Sequence, residues 1–156
     1  MVSAFQPVDP EFEARVRDSF ARQPFMATLG ARLSRVEAGV VEIDLPFSPG
    51  LSQQHGFFHG GVVGAIADSA AGYAAYSLMP ASASVLTVEY KINLIRPSVG
   101  EGLRACGIVV KPGRQLTICN ADVVAYDGGG EKTVATALFT MMVMEGRSDG
   151  HGLKAI

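Results

Sequence analysis

The first clear pattern in the chain is a set of apolar residues at helical spacing near its start. Phe12, Val16 and Phe20 recur at every fourth position, with charged residues between them. Asp9-Pro10 supplies an N-cap and a proline at the first helical position. Gln23-Pro24 is expected to end the helix. The pattern therefore predicts one amphipathic N-terminal helix.

Apolar and polar residues alternate further along the chain, which predicts strands. Leu33 to Val36 and Val40 to Leu45 form a predicted hairpin around a turn that contains Gly39. Tight turns such as Pro112-Gly113 and Asp127-Gly128 join later strands, so we expect an antiparallel sheet. The four later strands are Val85 to Ile95, Leu103 to Lys111, Gln115 to Tyr126 and Thr133 to Glu145.

A run of small apolar residues from His59 to about Met79 separates the two groups of strands. It is nearly long enough to span a bilayer. However, it carries Asp68 at its centre and has no basic flank. A soluble helix buried on most sides explains the run better. One long apolar helix against an antiparallel sheet predicts an α+β domain.

Length and composition narrow the class of protein. The 156 residues fit one domain over 1–156, with a helical segment at 1–24 and a flexible tail at 146–156. The formal net charge of -2 disfavours nucleic acid and anionic membranes as partners. No signal peptide is visible at the start, and Cys106 and Cys119 are interpreted as reduced, buried thiols without ligand spacing. Together these features predict a cytoplasmic protein.

The central helix presents two different faces on a helical wheel. One stripe is large enough to lie on the sheet: Val62, Ile66, Ser69, Tyr73 and Tyr76. The other stripe is small apart from one carboxylate: Gly61, Gly64, Asp68, Ala71, Gly72 and Ala75. A helical glycine costs about 1 kcal/mol relative to alanine, so this stripe is unfavourable on a helix that faces only water. We infer that it meets a second chain or a ligand; the alternative is an ordinary exposed Asp68.

The start of the same helix offers hydrogen-bond donors. The first backbone N–H groups of a helix are unpaired and lie at the positive end of its dipole. Gly60 and Gly61 leave these groups sterically open to a carbonyl oxygen. This is the arrangement of an oxyanion-stabilising site. His59 either caps the helix, holds the loop or contacts a substrate.

Three segments carry a family resemblance that runs from about residue 25 to 144. Gln53-x-x-Gly56-x-x-His59-Gly60-Gly61, followed by Asp68 in Ala-Asp-Ser-Ala, resembles the active-site signature of hotdog-fold acyl-CoA thioesterases of the phenylacetate-pathway (PaaI) type. The stretches from Leu86 to Pro97 and from Val110 to Arg114 resemble the family's next strand and a later turn. The resemblance implies a hotdog fold, in which the sheet wraps the helix. It also implies homodimers or homotetramers with active sites between subunits.

The resemblance assigns roles residue by residue. Asp68 would act as nucleophile or as general base on water, while the Gly60 N–H of the other subunit polarises the thioester carbonyl. His59 would help to place the thioester, and Thr87 would orient the attacking water. Gln53 stands where the family commonly has Asn, so its role differs or passes to a neighbour. No cofactor and no metal ion is expected.

The expected substrate is an acyl-CoA thioester, whose phosphates need basic partners. Arg114 and Lys111 flank the Pro-Gly turn and are the predicted phosphate contacts; the alternative for Arg114 is a solvated turn residue. Gly61 and Val88 complete the predicted substrate-binding set. Residues that line the acyl pocket or else belong to the core are Phe25, Met26, Leu29 and Phe58.

Two other functions remain open at this point. A hotdog enoyl-CoA hydratase would pair an acidic residue with a differently placed histidine, and no matching segment is present. A non-catalytic acyl-CoA-binding or sensing protein would bind the ligand without turnover. Such a sensor usually carries a DNA-binding domain, for which 156 residues leave no room.

Overall fold

Three helices and six strands make up the protein in a computed structural model, which describes residues 5–147 and residue 149. The N-terminal half contains two short helices, a hairpin and a long helix. The C-terminal half contains four long strands. In chain order the elements are α1 (Phe12–Ala21), α2 (Pro24–Leu29), β1 (Arg32–Glu37), β2 (Val40–Pro46), α3 (Gly60–Tyr76), β3 (Ser84–Leu94), β4 (Gly102–Lys111), β5 (Leu116–Asp127) and β6 (Gly130–Met144), with a short 3-10 helix at Pro49–Leu51.

All six strands form one antiparallel sheet in the order β1-β2-β4-β5-β6-β3. The predicted strands are confirmed, with ends that differ by at most three residues. The strand that follows α3 does not pair with its successor. Instead β3 pairs with β6 and becomes one edge of the sheet. The predicted α+β class and antiparallel sheet are therefore confirmed.

Helix α3 lies on the sheet through its smallest residues. Ala67, Ala70, Ala71 and Ala74 are fully buried. Gly107 of β4 lets the two backbones meet, because a Cβ there would lie 2.3 Å from the carbonyl carbon of Ala70. Alanine and glycine are thus required for a close helix–sheet contact.

This packing corrects part of the predicted wheel. Gly64, Ala71, Gly72 and Ala75 belong to the buried surface, not to a face that is free to meet another chain. The sheet and α1 together cover most of the helix circumference, which a wheel drawn for one helix cannot reveal. Within α3, full exposure is confined to Gly61, and partial exposure to Gly60, Val62, Ala65, Asp68 and Ser69. Asp68 thus keeps its place on the accessible stripe.

The N-terminal region differs from the sequence prediction in two ways. Helix α1 begins at Phe12, two residues later than predicted, although the Asp9 side chain accepts from the Glu11 N–H at 3.0 Å as a capping residue does. The end of α1 at Ala21, just before Gln23-Pro24, is as predicted, but Pro24 also begins a second helix, α2, which the sequence analysis did not predict and whose first turn tolerates proline. The α2 helix ends at Gly30, which has a positive φ of 76°.

Other predictions about the whole chain have mixed outcomes. Among the described residues, no helix is long and apolar enough to cross a membrane. Cys106 and Cys119 are both free, and burial raises their pKa values to about 11 and about 12. The predicted flexible tail at 146–156 lies outside the described residues apart from positions 146, 147 and 149.

Candidate active site

Asp68 is held on the accessible side of α3 by a residue of the edge strand. Its Oδ1 accepts a hydrogen bond of 2.7 Å from the Thr87 hydroxyl. A β-bulge sets the position of Thr87: the register runs from Thr87 opposite Met141 to Glu89 opposite Thr140, so Val88 is the extra residue. The bulge therefore directs a hydroxyl at the helix carboxylate.

The surroundings of Asp68 favour a reactive carboxylate. Partial burial raises its pKa above the usual aspartate range, and the hydrogen bond from Thr87 opposes that rise. A carboxylate whose charge is incompletely solvated is a stronger base or nucleophile than one in free solution. With Oδ1 occupied by Thr87, Oδ2 is the oxygen left for a substrate or a water molecule.

A depression of about 200 Å³ opens beside Asp68. It lies between α3, the end of α1 and the start of β3. Its lining includes the side chains of Ser19, Gln23, Asp68, Ser69, Tyr73 and Thr87. Sequence reasoning missed Ser19 and Gln23 here, because only tertiary packing brings α1 against the middle of α3.

The first turn of α3 forms the second chemical group. His59 is the N-cap, and its Nδ1 accepts from the Gly61 N–H at 2.8 Å. Among the alternatives for His59, capping is the contact that the structure contains. Within the part of the chain that the structure describes, nothing accepts a hydrogen bond from the Gly60 N–H. That donor is available to a ligand.

Gln53 belongs with this first turn and not with Asp68. Its Oε1 accepts from the His55 N–H, and its backbone oxygen accepts from Gly56. Together with Gly60 and Leu94 it lines a second depression, of about 380 Å³, that does not include Asp68. In place of the family's usual asparagine, Gln53 thus stabilises its own loop.

The two groups are too far apart to act on one substrate within a single chain. Asp68 lies eight positions after Gly60. At 1.5 Å per residue their backbones are roughly 12 Å apart along the helix axis. A reacting carbon must lie within about 3–3.5 Å of its nucleophile. The carbonyl oxygen must lie within about 3 Å of its donor. One substrate carbonyl therefore cannot meet both the Gly60 N–H and Asp68 of the same chain.

The predicted phosphate contacts lie elsewhere on the surface. Arg114 lines a third depression near the end of α3, together with Ala75 and Glu145. Lys111 is exposed at the end of β4. Neither side chain lies beside Asp68 in the same chain. Among the described residues, no cluster of three His, Cys, Asp or Glu side chains is arranged to hold a metal ion.

The remaining substrate-binding candidates differ in exposure. Phe58 is 4% exposed and packs edge-on against Phe47 with ring centroids 5.1 Å apart, so most of its surface is core. Gly61 and Val88 are exposed. The acyl-pocket candidates of the N-terminal region also divide: Met26 is buried, Leu29 is half-buried and Phe25 is exposed.

Comparison with known families decides the class of this protein. The thioesterase superfamily model matches residues 55–132, a segment that contains both Gly60 and Asp68. The chain belongs to the thioesterase superfamily. A solved thioesterase family protein from Silicibacter pomeroyi is 50% identical, with 86% of this chain and 99% of that one covered at a TM-score of 0.85. The protein is a thioester hydrolase, as the sequence predicts.

More distant structures establish the fold. The Escherichia coli PaaI protein of the phenylacetic acid degradation operon is 19% identical, with 88% and 96% of the two chains covered and a TM-score of 0.79. A thioesterase from Haemophilus influenzae is 18% identical, with 96% and 97% covered and a TM-score of 0.76. The predicted hotdog fold is confirmed by these likenesses.

Proposed function

We propose that the protein hydrolyses acyl-CoA thioesters at sites shared between two subunits. Asp68 of one subunit would act on the thioester carbon, and the partner subunit's Gly60 would donate its N–H to the carbonyl oxygen. The observation that carries the proposal is the separation of roughly 12 Å between the two groups along one helix, which prevents a single chain from using both.

A two-fold arrangement would bring the two halves together. In an isologous pair, if residue i of one subunit meets residue j of the other, then j also meets i. Gly64 lies midway between Gly60 and Asp68 in the sequence. Gly64 itself is buried beneath Tyr90 of β3, so the two α3 helices would not touch there. A two-fold axis level with Gly64 would run them antiparallel and place each Asp68 at the level of a Gly60. The same symmetry creates two equivalent sites.

The edge strand β3 supports this pairing. Among the described strands it pairs only with β6, so its other edge carries unpaired backbone groups. It is 11 residues long and exposes several large apolar side chains: Leu86, Val88, Tyr90 and Leu94. A long, exposed and apolar edge is a template for another strand. We propose that the second copy of this chain covers it.

The chemistry follows from the two halves. By the general-base route, Asp68 takes a proton from water, and the hydroxide attacks the thioester carbon. The charge on the resulting tetrahedral oxyanion is stabilised by the N–H of Gly60 and by the positive end of the α3 dipole. The carbon–sulfur bond then breaks, and the CoA thiolate leaves. By the nucleophilic route, Asp68 attacks the carbon itself and water later hydrolyses the mixed anhydride.

We assign the CoA end of the substrate to basic residues outside the depression beside Asp68. Arg114 and Lys111 are exposed around the turn between β4 and β5, where neither side chain forms an ion pair with a described residue. Guanidinium and ammonium groups of this kind suit phosphate oxygens. A cytoplasmic location agrees with two cysteines that remain free.

We further propose that two dimers associate into a homotetramer. The face of the sheet turned away from α3 exposes five large apolar side chains: Ile108, Val110, Leu116, Leu138 and Met142. Several exposed large apolar side chains on one sheet face are typical of a protein–protein interface. Native mass spectrometry is expected to show four chains, and a stable dimer would contradict this assembly.

Release of free CoA from a panel of acyl-CoA thioesters tests the catalytic proposal. Asp68→Ala is expected to lower kcat/KM by at least about a hundredfold while the fold is retained. Asp122→Ala is the matched control, because that aspartate is exposed on β5 and lies outside the depression beside Asp68. An Asp68→Ala enzyme with near-normal turnover would contradict the proposal.

A further inference from the structure

The depression beside Asp68 has a polar inner wall that the hydrolysis of a thioester does not require. The Ser19 hydroxyl of α1 lies 3.2 Å from the Tyr73 hydroxyl of α3. Both residues are only 7% exposed. Each hydroxyl offers one hydrogen and two acceptor positions, so the one hydrogen bond between them leaves a donor and further acceptors unused. Those unused groups face a depression that also contains the catalytic carboxylate.

A second polar pair lies in the same wall. The Ser69 hydroxyl is 3.4 Å from Oε1 of Gln23, a long contact that involves only the oxygen of that amide. The amide nitrogen of Gln23 carries two further hydrogens. Ser69 follows Asp68 directly in α3, so this pair adjoins the proposed reaction centre. The wall therefore presents donors and acceptors from both helices.

Such a wall discriminates between acyl groups. An alkyl chain that displaces water from buried hydroxyls leaves them unpaired, which is unfavourable. A group that forms hydrogen bonds with them avoids that loss, and enzymes use this difference to reject substrates that lack a hydroxyl. Asp68 lines the depression, so an acidic acyl group would meet like charge there.

We propose that Ser19, Gln23, Ser69 and Tyr73 select acyl groups that carry a neutral hydrogen-bonding group, such as a hydroxyl, at the end remote from the thioester. This inference rests on the proposed hydrolysis at Asp68. Ser19 lies in α1 and Gln23 in the link between α1 and α2, so both precede the segment matched by the superfamily model. The selectivity is thus built by the N-terminal helical region of this chain.

Matched pairs of acyl-CoA thioesters test the inference. Butanoyl-, hexanoyl- and octanoyl-CoA are each compared with the analogue that bears a terminal hydroxyl, and the ratio of the two kcat/KM values is measured. At the preferred length the hydroxylated substrate is expected to be favoured by about tenfold or more. Tyr73→Phe and Ser19→Ala should each bring that ratio towards one. Tyr126→Phe removes a tyrosine hydroxyl that does not line the depression and should leave the ratio unchanged.

The outcomes separate this inference from the proposed function. Turnover of the plain thioesters at rates equal to or above those of the hydroxylated ones, at every length, would overturn the selectivity and leave the hydrolase intact. A wild-type preference that persists in both Tyr73→Phe and Ser19→Ala would overturn the assignment to these residues. If no thioester of the panel is hydrolysed, the proposed acyl-CoA hydrolysis fails, and the selectivity fails with it.

Discussion

The two chemical groups on α3 are held in different ways. At the first turn, the contacts come from neighbours in the sequence. His59 accepts a hydrogen bond from the Gly61 N–H, and Gln53 accepts one from the His55 N–H in the preceding loop. In the middle of the helix, Asp68 depends on Thr87, a residue from a separate strand. The donor half of the proposed site is therefore local, whereas the carboxylate half requires the assembled sheet. Substitutions in the two halves should fail in different ways.

The largest effect is expected from removing the Gly60 N–H itself. Gly60 is the first residue of α3, where proline is tolerated, and His59 before it has φ −65° and ψ 136°, which a following proline accepts. Gly60→Pro should lower kcat/KM about 10²–10³-fold, the usual consequence of losing one oxyanion donor. Steady-state kinetics of CoA release measure the loss, and circular dichroism checks that α3 is retained.

Gly60→Ala is the matched control for that prediction. Both substitutions add a Cβ, which would lie 2.8 Å from Cδ1 of Leu94 and force that side chain to move. Alanine retains the N–H, whereas proline removes it. Gly60→Ala should therefore be clearly more active than Gly60→Pro. Equal losses in the two variants would mean that crowding against Leu94, and not the donor, accounts for the effect.

A smaller and pH-dependent effect is expected in the carboxylate half. The hydrogen bond from Thr87 lowers the pKa of Asp68, so Thr87→Val should let that pKa rise further above the usual aspartate range. Asp68 must be ionised to act, and its ionised fraction at a given acidic pH would fall. The acidic limb of the kcat/KM profile should therefore move to higher pH.

Thr87→Ser provides the comparison, because serine keeps the hydroxyl at the same position on β3. Its acidic limb should stay close to that of the wild type. A Thr87→Val profile whose acidic limb is unmoved, or lies at lower pH, would show that Thr87 does not control the ionisation of Asp68.

The smallest effect concerns stability. Burial raises the pKa of Asp68 in the folded chain above its unfolded value, so the cost of the ionised carboxylate is absent below the unfolded pKa. That cost develops as the pH rises and is complete above the folded pKa. Asp68→Asn should thus raise the melting temperature by a few degrees near neutral pH.

Thermal unfolding at one protein concentration measures this difference, since association shifts the apparent stability. The advantage of Asn should disappear at a pH below the ordinary range for aspartate. A variant that melts below the wild type at neutral pH would show that ionised Asp68 stabilises the fold.

Local patterns predict one part of this protein well. Alternating residues identify the strands, and the run of small residues identifies α3, because each element is encoded by neighbours in the sequence. The same is true of the donor half, since a cap followed by Gly60 and Gly61 is a local signal. A β-bulge at Val88 and the pairing of β3 with β6 are not encoded in this way.

Long-range packing accounts for what the sequence analysis missed. Ser19 meets Tyr73 across 54 positions, and only the docking of α1 on α3 creates the wall they share. The prediction that Ala71 and Ala75 lie on a face open to a second chain or a ligand was wrong, because the sheet curls around the helix and buries them. Helix α2 was missed because proline marks the end of α1 and equally begins the next helix. Each error concerns a choice that tertiary contacts decide.

Mixing subunits tests most directly whether the two halves act from different chains. Asp68→Ala and Gly60→Pro each remove one half, and homodimers of either variant should have little activity. In a hybrid dimer, one site combines an intact Asp68 with the partner subunit's Gly60, so roughly half of the wild-type activity per dimer should return. A chain that carries both changes is the control. In its hybrids with wild type, each site lacks either Asp68 or the Gly60 N–H, so these hybrids should be inactive. Two results together would contradict the shared site. Hybrids of Asp68→Ala with Gly60→Pro would be inactive, and hybrids of the double variant with wild type would keep half of the activity.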